Sequence, residues 1–171
     1  SDKNTAVGVS ASFSNLTGTN NVAIGYNALY GNVVGFGTAI GSLALFNNTT
    51  GANNVAVGYN SLFTNLVGSY NTAVGTEALK SITGGQSVAV GYRALFSTAA
   101  VNDNVAIGYL AGTTNTANNT VAIGSNALAV NSADSNVAIG FNSLVLNTSG
   151  GSNTAVGSSS LAANTTGGSN T

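Results

Sequence analysis

The sequence predicts an all-β fold: a parallel β-roll (a β-solenoid) of about ten coils of 16–17 residues, with residues 1–171 forming one repetitive segment. Three observations carry this prediction. The unit Asn21-Val22-Ala23-Ile24-Gly25 returns along the whole chain, closing at Gly8, Gly25, Gly41, Gly58, Gly75, Gly91, Gly108, Gly124, Gly140 and Gly157. A near-constant period of this size marks stacked repeats, each too small to bury a core of its own. Within the unit, β-branched residues alternate with alanine, which is the two-residue period of a strand. The chain also contains no proline, as expected where nearly every backbone N–H is needed for a ladder.

The strand comes first in each coil. Three residues before the closing glycine stands Thr5, Val22, Thr38, Val55, Thr72, Val88, Val105, Val121, Val137 or Thr154. One residue before it stands Val7, Ile24, Ile40, Val57, Val74, Val90, Ile107, Ile123, Ile139 or Val156. These are strand formers, and the reading turns them inward. The expected core is Val22, Ile24, Leu29, Val55, Val57, Leu62, Val105, Ile107, Val137, Ile139 and Leu144.

The residue between them is always alanine: Ala6, Ala23, Ala39, Ala56, Ala73, Ala89, Ala106, Ala122, Ala138 and Ala155. Alanine is a poor strand residue, so its constancy implies a surface that approaches closely. Two surfaces qualify, the identical face of another subunit or an opposed wall of the same coil. The preferred reading makes this column a subunit seam in a homo-oligomer.

After the glycine, a position of Ala or Ser precedes a nearly constant leucine, Leu29, Leu45, Leu62, Leu79, Leu95, Leu128, Leu144 or Leu161. This reads as a second strand whose leucine meets the Val/Ile pair. The glycine between the two strands supplies a turn with positive φ. A polar corner follows. Asn15, Asn32, Asn48, Asn65, Asn115, Asn131, Asn147 and Asn164 stand seven residues past the glycine, where Ile82 and Thr98 depart. A glycine three residues later completes the turn in most coils, and the one-residue variation in period falls in the loop beyond it. Asn4, Asn21, Asn54, Asn71, Asn104, Asn136 and Asn153 precede the strand. Stacked asparagines can hydrogen-bond from coil to coil.

Composition narrows the function. Only 4% of residues are charged and the net charge is -1, against about a quarter charged in an ordinary domain. Three basic residues cannot supply the cationic patch that nucleic-acid binding requires, so no nucleic-acid partner is expected. No apolar run approaches the roughly 18 residues of a membrane span, so no direct insertion by this segment is expected. Gly168-Ser169-Asn170-Thr171 repeats Gly151-Ser152-Asn153-Thr154. The chain therefore reads as part of a longer fibrous protein, with any export signal or anchor elsewhere.

The recurring Asn-Val-Ala-Ile-Gly unit followed by Ala or Ser resembles the head repeats of trimeric autotransporter adhesins of the YadA type. The extended form Gly25-Tyr26-Asn27-Ala28-Leu29-Tyr30 is similar to repeats of bacterial and viral tail-fibre proteins. The resemblance covers essentially the whole chain, although the adhesin period is usually nearer 14 to 15 residues. It implies a left-handed roll, a homotrimer and a position on a cell or virion surface. It also implies partners among host-cell, matrix or prey surface glycans and proteins.

Chemistry is sparse. His and Cys are absent, which removes the usual bases and thiol nucleophiles. The acids Asp2, Glu77, Asp103 and Asp134 do not recur by coil, so no catalytic, metal or cofactor site is expected, and the segment reads as non-enzymatic. Glu77 and Arg93 occupy equivalent positions in adjacent coils and should form a surface pair worth at most about 1 kcal/mol.

Aromatic residues fall in two columns, one directly after the glycine and one five residues after it. Tyr26, Tyr30, Tyr59, Phe63, Tyr92, Phe96 and Tyr109 are candidates either for ring stacking along the rod or for an exposed binding strip. An ice-binding surface would need a regular hydroxyl array, and valine interrupts the threonine column in six of ten coils. Asn15, Asn48, Asn118, Asn147 and Asn164 head Asn-x-Ser/Thr triplets. The expected function is a structural and adhesive segment of an extracellular fibre, with a viral tail-fibre shaft as the alternative.

Overall fold

A computed structural model describes residues 3–97 and 101–171. Asp2 and Thr98 lie outside the described residues. Among the described residues there is no helix. The longer strands are β1 (Thr5–Val7), β2 (Val22–Ile24), β3 (Thr38–Ile40), β4 (Val55–Val57), β5 (Thr72–Val74), β6 (Val88–Val90), β7 (Val105–Ile107), β9 (Val121–Ile123), β11 (Val137–Ile139) and β12 (Thr154–Val156). They form one parallel sheet in chain order. Two-residue strands β8 (Thr114–Asn115) and β10 (Val130–Asn131) pair beside it. The register is one coil per step throughout, with alanine opposite alanine: Ala23 pairs with Ala39, and Ala39 with Ala56. The molecule is a β-solenoid.

The closing glycines are a stereochemical requirement. Gly58 has φ 130°, and a Cβ there would lie 2.6 Å from the carbonyl oxygen of Gly75 in the next coil. The same approach recurs from Gly8 to Gly140. A side chain would meet both a forbidden dihedral and a backbone atom.

Two expectations about facing are corrected. The alanine column lies inside the roll: Ala23, Ala39, Ala56, Ala73, Ala89, Ala106, Ala122 and Ala138 are completely or almost completely buried, and Ala155 nearly so. Ala6 is exposed because it lies in the first coil. The nine alanines from Ala23 to Ala155 are therefore not a subunit seam; the wall they approach belongs to their own chain. Conversely, Val22, Val55, Val57, Val105, Val137 and Ile139 are only half-buried, while Ile24 is 38% and Ile107 40% exposed. These eight residues face out of the roll. Leu29, Leu62 and Leu144 are fully buried, as expected.

The reason lies in the segment after the glycine, which is a run of turns instead of a second strand. Its leucines take left-handed backbone conformations, with φ 55° at Leu29, 51° at Leu62 and 49° at Leu144. This geometry turns both the small residue and the leucine inward. A Cβ built at Gly112 would sit 3.0 Å from a Leu95 methyl and 3.7 Å from Ala106 Cβ, so the leucine and alanine columns face each other across the roll. With leucine filling the interior, only alanine fits on the opposing strand.

Turn backbone is satisfied between coils, like the strands. Leu29 N donates to Ala44 O at 2.9 Å and Asn27 N to Val9 O at 3.0 Å. Both asparagine columns are buried and used. In the first, Asn54 Oδ1 accepts from Asn71 N at 2.9 Å while Asn54 Nδ2 donates to Gly68 O at 2.7 Å. In the second, Asn48 Nδ2 donates to Asn32 Oδ1 at 2.7 Å, and Asn65 Nδ2 to Asn48 Oδ1 at 2.9 Å. Ile82 interrupts this second ladder and is itself fully buried. Asn48 and Asn147 are fully buried too, so their Asn-x-Ser/Thr triplets are out of reach of a modifying enzyme in the folded chain.

Candidate interaction surfaces

Three surface features stand out from an otherwise neutral rod. The first is the outer face of the ten-stranded sheet. Strand alternation that sends alanine inward sends both flanking residues outward. Ile24, Ile40, Val74 and Ile107 are exposed by 37 to 40%, and the Val/Thr column lies partly buried beside them. At ~4.8 Å per strand the two columns run ~45 Å and cover on the order of 500 Å². A mostly apolar strip of that size, broken by the hydroxyls of Thr38 and Thr72, is at the upper end for a solitary soluble chain. Directly after the strands come Tyr26, Tyr59, Tyr92, Tyr109 and Phe141, all exposed. No ring among the described residues stacks on Tyr26 or Tyr59, whereas Tyr92 and Tyr109 stack at 5.4 Å.

The second feature is the column five residues past the glycine. Phe13, Tyr30, Phe46 and Phe63 stack successively at 5.2, 5.2 and 5.3 Å between centroids. Neighbouring rings face one another, so Tyr30 and Phe63 offer mainly edges to solvent. The stack is interrupted by Lys80, which stands in the same column. Its Nζ lies 5.2 Å from the Phe96 centroid.

The third is the charged cluster. Glu77 and Arg93 pair as their spacing predicts, with Arg93 Nε 2.6 Å from Glu77 Oε2. Lys80, which sequence reasoning did not include, takes the other carboxylate oxygen at 2.6 Å. Glu77 is buried by these partners. The Lys80 hydrogen bond, followed by that of Arg93, holds its carboxyl below the usual value of 4.5. Glu77 in turn raises the Arg93 guanidinium. Arg93 also lies 4.7 Å from the Phe96 ring and 5.2 Å from the Tyr92 ring. Asp103 and Asp134 are exposed in separate coils. Asp134 Oδ1 accepts from Asn118 N at 2.8 Å, continuing a short coil-to-coil chain in which Asn118 Oδ1 accepts from Asn102 N.

No group of three or more potential metal ligands occurs among the described residues. No helix among them is long and apolar enough to cross a membrane. Comparison with family models, with curated proteins and with solved structures gives no match.

Proposed function

We propose that this chain is a non-enzymatic structural segment of an extracellular fibre, on a cell or a virion, that associates side by side with further copies of itself. The observation that carries this reading is the outward Val/Ile/Thr strip of the sheet. Two such strips in contact would bury on the order of 1,000 Å², enough for a specific interface. The resemblance to adhesin heads supports three chains, a left-handed roll and an adhesive role. In this assembly the seam consists of the outward strand residues, and the alanines complete each chain's own interior. The exposed Tyr26 and Tyr59 are the rings best placed to make weak, repeated contacts with a glycan or protein surface, because their faces are unstacked.

The test is solution mass by light scattering. The parent chain is expected as a stable oligomer, with a trimer matching the resemblance. Ile40→Lys with Val57→Lys would place two charges in the strip and should yield a folded monomer. A monomeric parent chain at high concentration would overturn the side-by-side reading.

A further inference from the structure

The outward Val/Ile strip has two edges. Along its trailing edge, directly after the closing glycine, stand Tyr26, Tyr59 and Tyr92. Along its leading edge, five residues before the closing glycine, runs a column that is exposed in every coil from Asn20 to Ser152.

The leading column is left-handed throughout, with φ 59° at Asn20, 58° at Asn53 and 59° at Gln86. Most coils place a polar residue there, and asparagine and aspartate tolerate this backbone better than bulky side chains do. Phe36 and Tyr70 are the exceptions. Their φ values are 64° and 62°, and they are exposed by 58% and 63%. No ring among the described residues stacks on either. A bulky ring on a costly backbone, left in water, stabilises nothing within its own chain.

The two edges complement each other coil by coil. Tyr26, Tyr59 and Tyr92 hold the trailing edge of the second, fourth and sixth coils, where the leading edge carries Asn20, Asn53 and Gln86. Phe36 and Tyr70 hold the leading edge of the third and fifth coils, where the trailing edge carries Ser42 and Thr76. Tyr109 and Phe141 continue the trailing edge, and Asp103 and Ser135 stand opposite them. No coil carries a ring on both edges.

Geometry then decides how two rods fit. A second rod turned about its long axis to face the first exchanges its edges and keeps every coil at its own height. The trailing edge of one chain meets the leading edge of the other, and each ring enters a place held by a small or polar residue. In a closed ring of chains the edges meet in the same way. An end-over-end pair at full overlap sets like edges together instead, with Tyr26 against Phe141 and Tyr59 against Tyr109.

We propose that the strip's edges form an aromatic zipper between copies of this chain: with the copies parallel and in register, Tyr26, Phe36, Tyr59, Tyr70 and Tyr92 come alternately from the two chains and stack along the seam. The proposal rests on the side-by-side reading, and the surface that Tyr26 and Tyr59 meet is then a second copy. The rings follow one another at ~4.8 Å on average, against 5.2 to 5.3 Å between the rings that stack from Phe13 to Phe63 within one chain. Each ring adds on the order of 100 Å² to the contact. That carries it into the range of about 1,200–2,000 Å² found in stable interfaces. Stacking in the seam also offsets the strain at Phe36 and Tyr70.

Light scattering and cross-linking test the zipper. Phe36→Asn with Tyr70→Asn installs the residue that Asn20 and Asn53 supply in neighbouring coils. Its unfolding midpoint, at a dilution where the chains are monomeric, should hold or rise, while association weakens at least about tenfold. A second measurement leaves every ring in place. Asn119→Cys with Ser125→Cys sets thiols on opposite edges of one coil, with β9 between them, so a disulfide forms only between chains. Oxidation should link the assembly covalently. Ser42→Cys with Ser125→Cys, which links only end-over-end pairs, should not. A parent chain that stays monomeric overturns the side-by-side reading and the zipper with it. A parent that associates, yet loses no affinity in Phe36→Asn with Tyr70→Asn or links only through the end-over-end pair, overturns the zipper alone. Should the asparagine variant fail to fold, the cross-link decides.

Discussion

At the scale of single residues, asparagine does work that hydrophobic residues do elsewhere. Asn48 is fully buried, and its amide both donates and accepts within the ladder. Asn48→Ala should therefore cost about 2–3 kcal/mol, because the Asn32 oxygen and the Gly51 carbonyl lose a donor and Asn65 Nδ2 loses one of its two acceptors inside the roll; urea unfolding measures it. Ile82 supplies the opposite case. Ile82→Ala should cost about 3 kcal/mol as a cavity. Ile82→Asn should stay within about 1 kcal/mol of the parent, since the donor gained by Asn65 Oδ1 offsets the lost apolar burial. Gly58→Ala should be among the most damaging single changes, at least about 3 kcal/mol, because φ and the Gly75 carbonyl both oppose a Cβ.

At the scale of the element, the strand has two unlike sides. Ala56→Val enlarges a side chain that faces the leucine column and should cost about 1–3 kcal/mol. Val55→Thr, on the outer side, should change chain stability by no more than about 0.5 kcal/mol, and any larger effect should appear in association. The turn segment carries strain that can be relieved. Leu43 has φ 60° and is only half-buried, and the equivalent position is asparagine at Asn27, Asn60, Asn126 and Asn142. Leu43→Asn should raise stability by about 0.5–1 kcal/mol, read from the unfolding midpoint.

The same two elements explain what the sequence could and could not disclose. Period, strand position, glycine turns and both asparagine columns were legible because each is a residue that recurs in most coils at a constant offset. The facing of the strand was not. Alternation of Val, Ala and Ile defines two sides without stating which is inner, and alanine as an interior residue makes sense only once leucine is known to reach in from the opposing wall. That reach depends on left-handed φ at leucine, which propensity argues against and stacked inter-coil hydrogen bonds enforce. Lys80 was overlooked because partners for Glu77 were sought one coil away, whereas a second cation, equally near, lies three residues along the same coil.

At the scale of the whole molecule, stability and shape both follow from stacking. The in-register sheet means that removing residues 42–58, one full period ending on a closing glycine, should leave a folded chain with the same circular dichroism. It should be shorter by one ~4.8 Å step. Loss of folding in that deletion would show that coils differ more than their sequences suggest. Because each coil repeats the geometry of the last, length is a quantity this protein can change by duplication or deletion of about sixteen codons, without redesign of any contact. Evolution can therefore tune how far such a solenoid reaches by copying, in uniform increments, the way a ruler is extended.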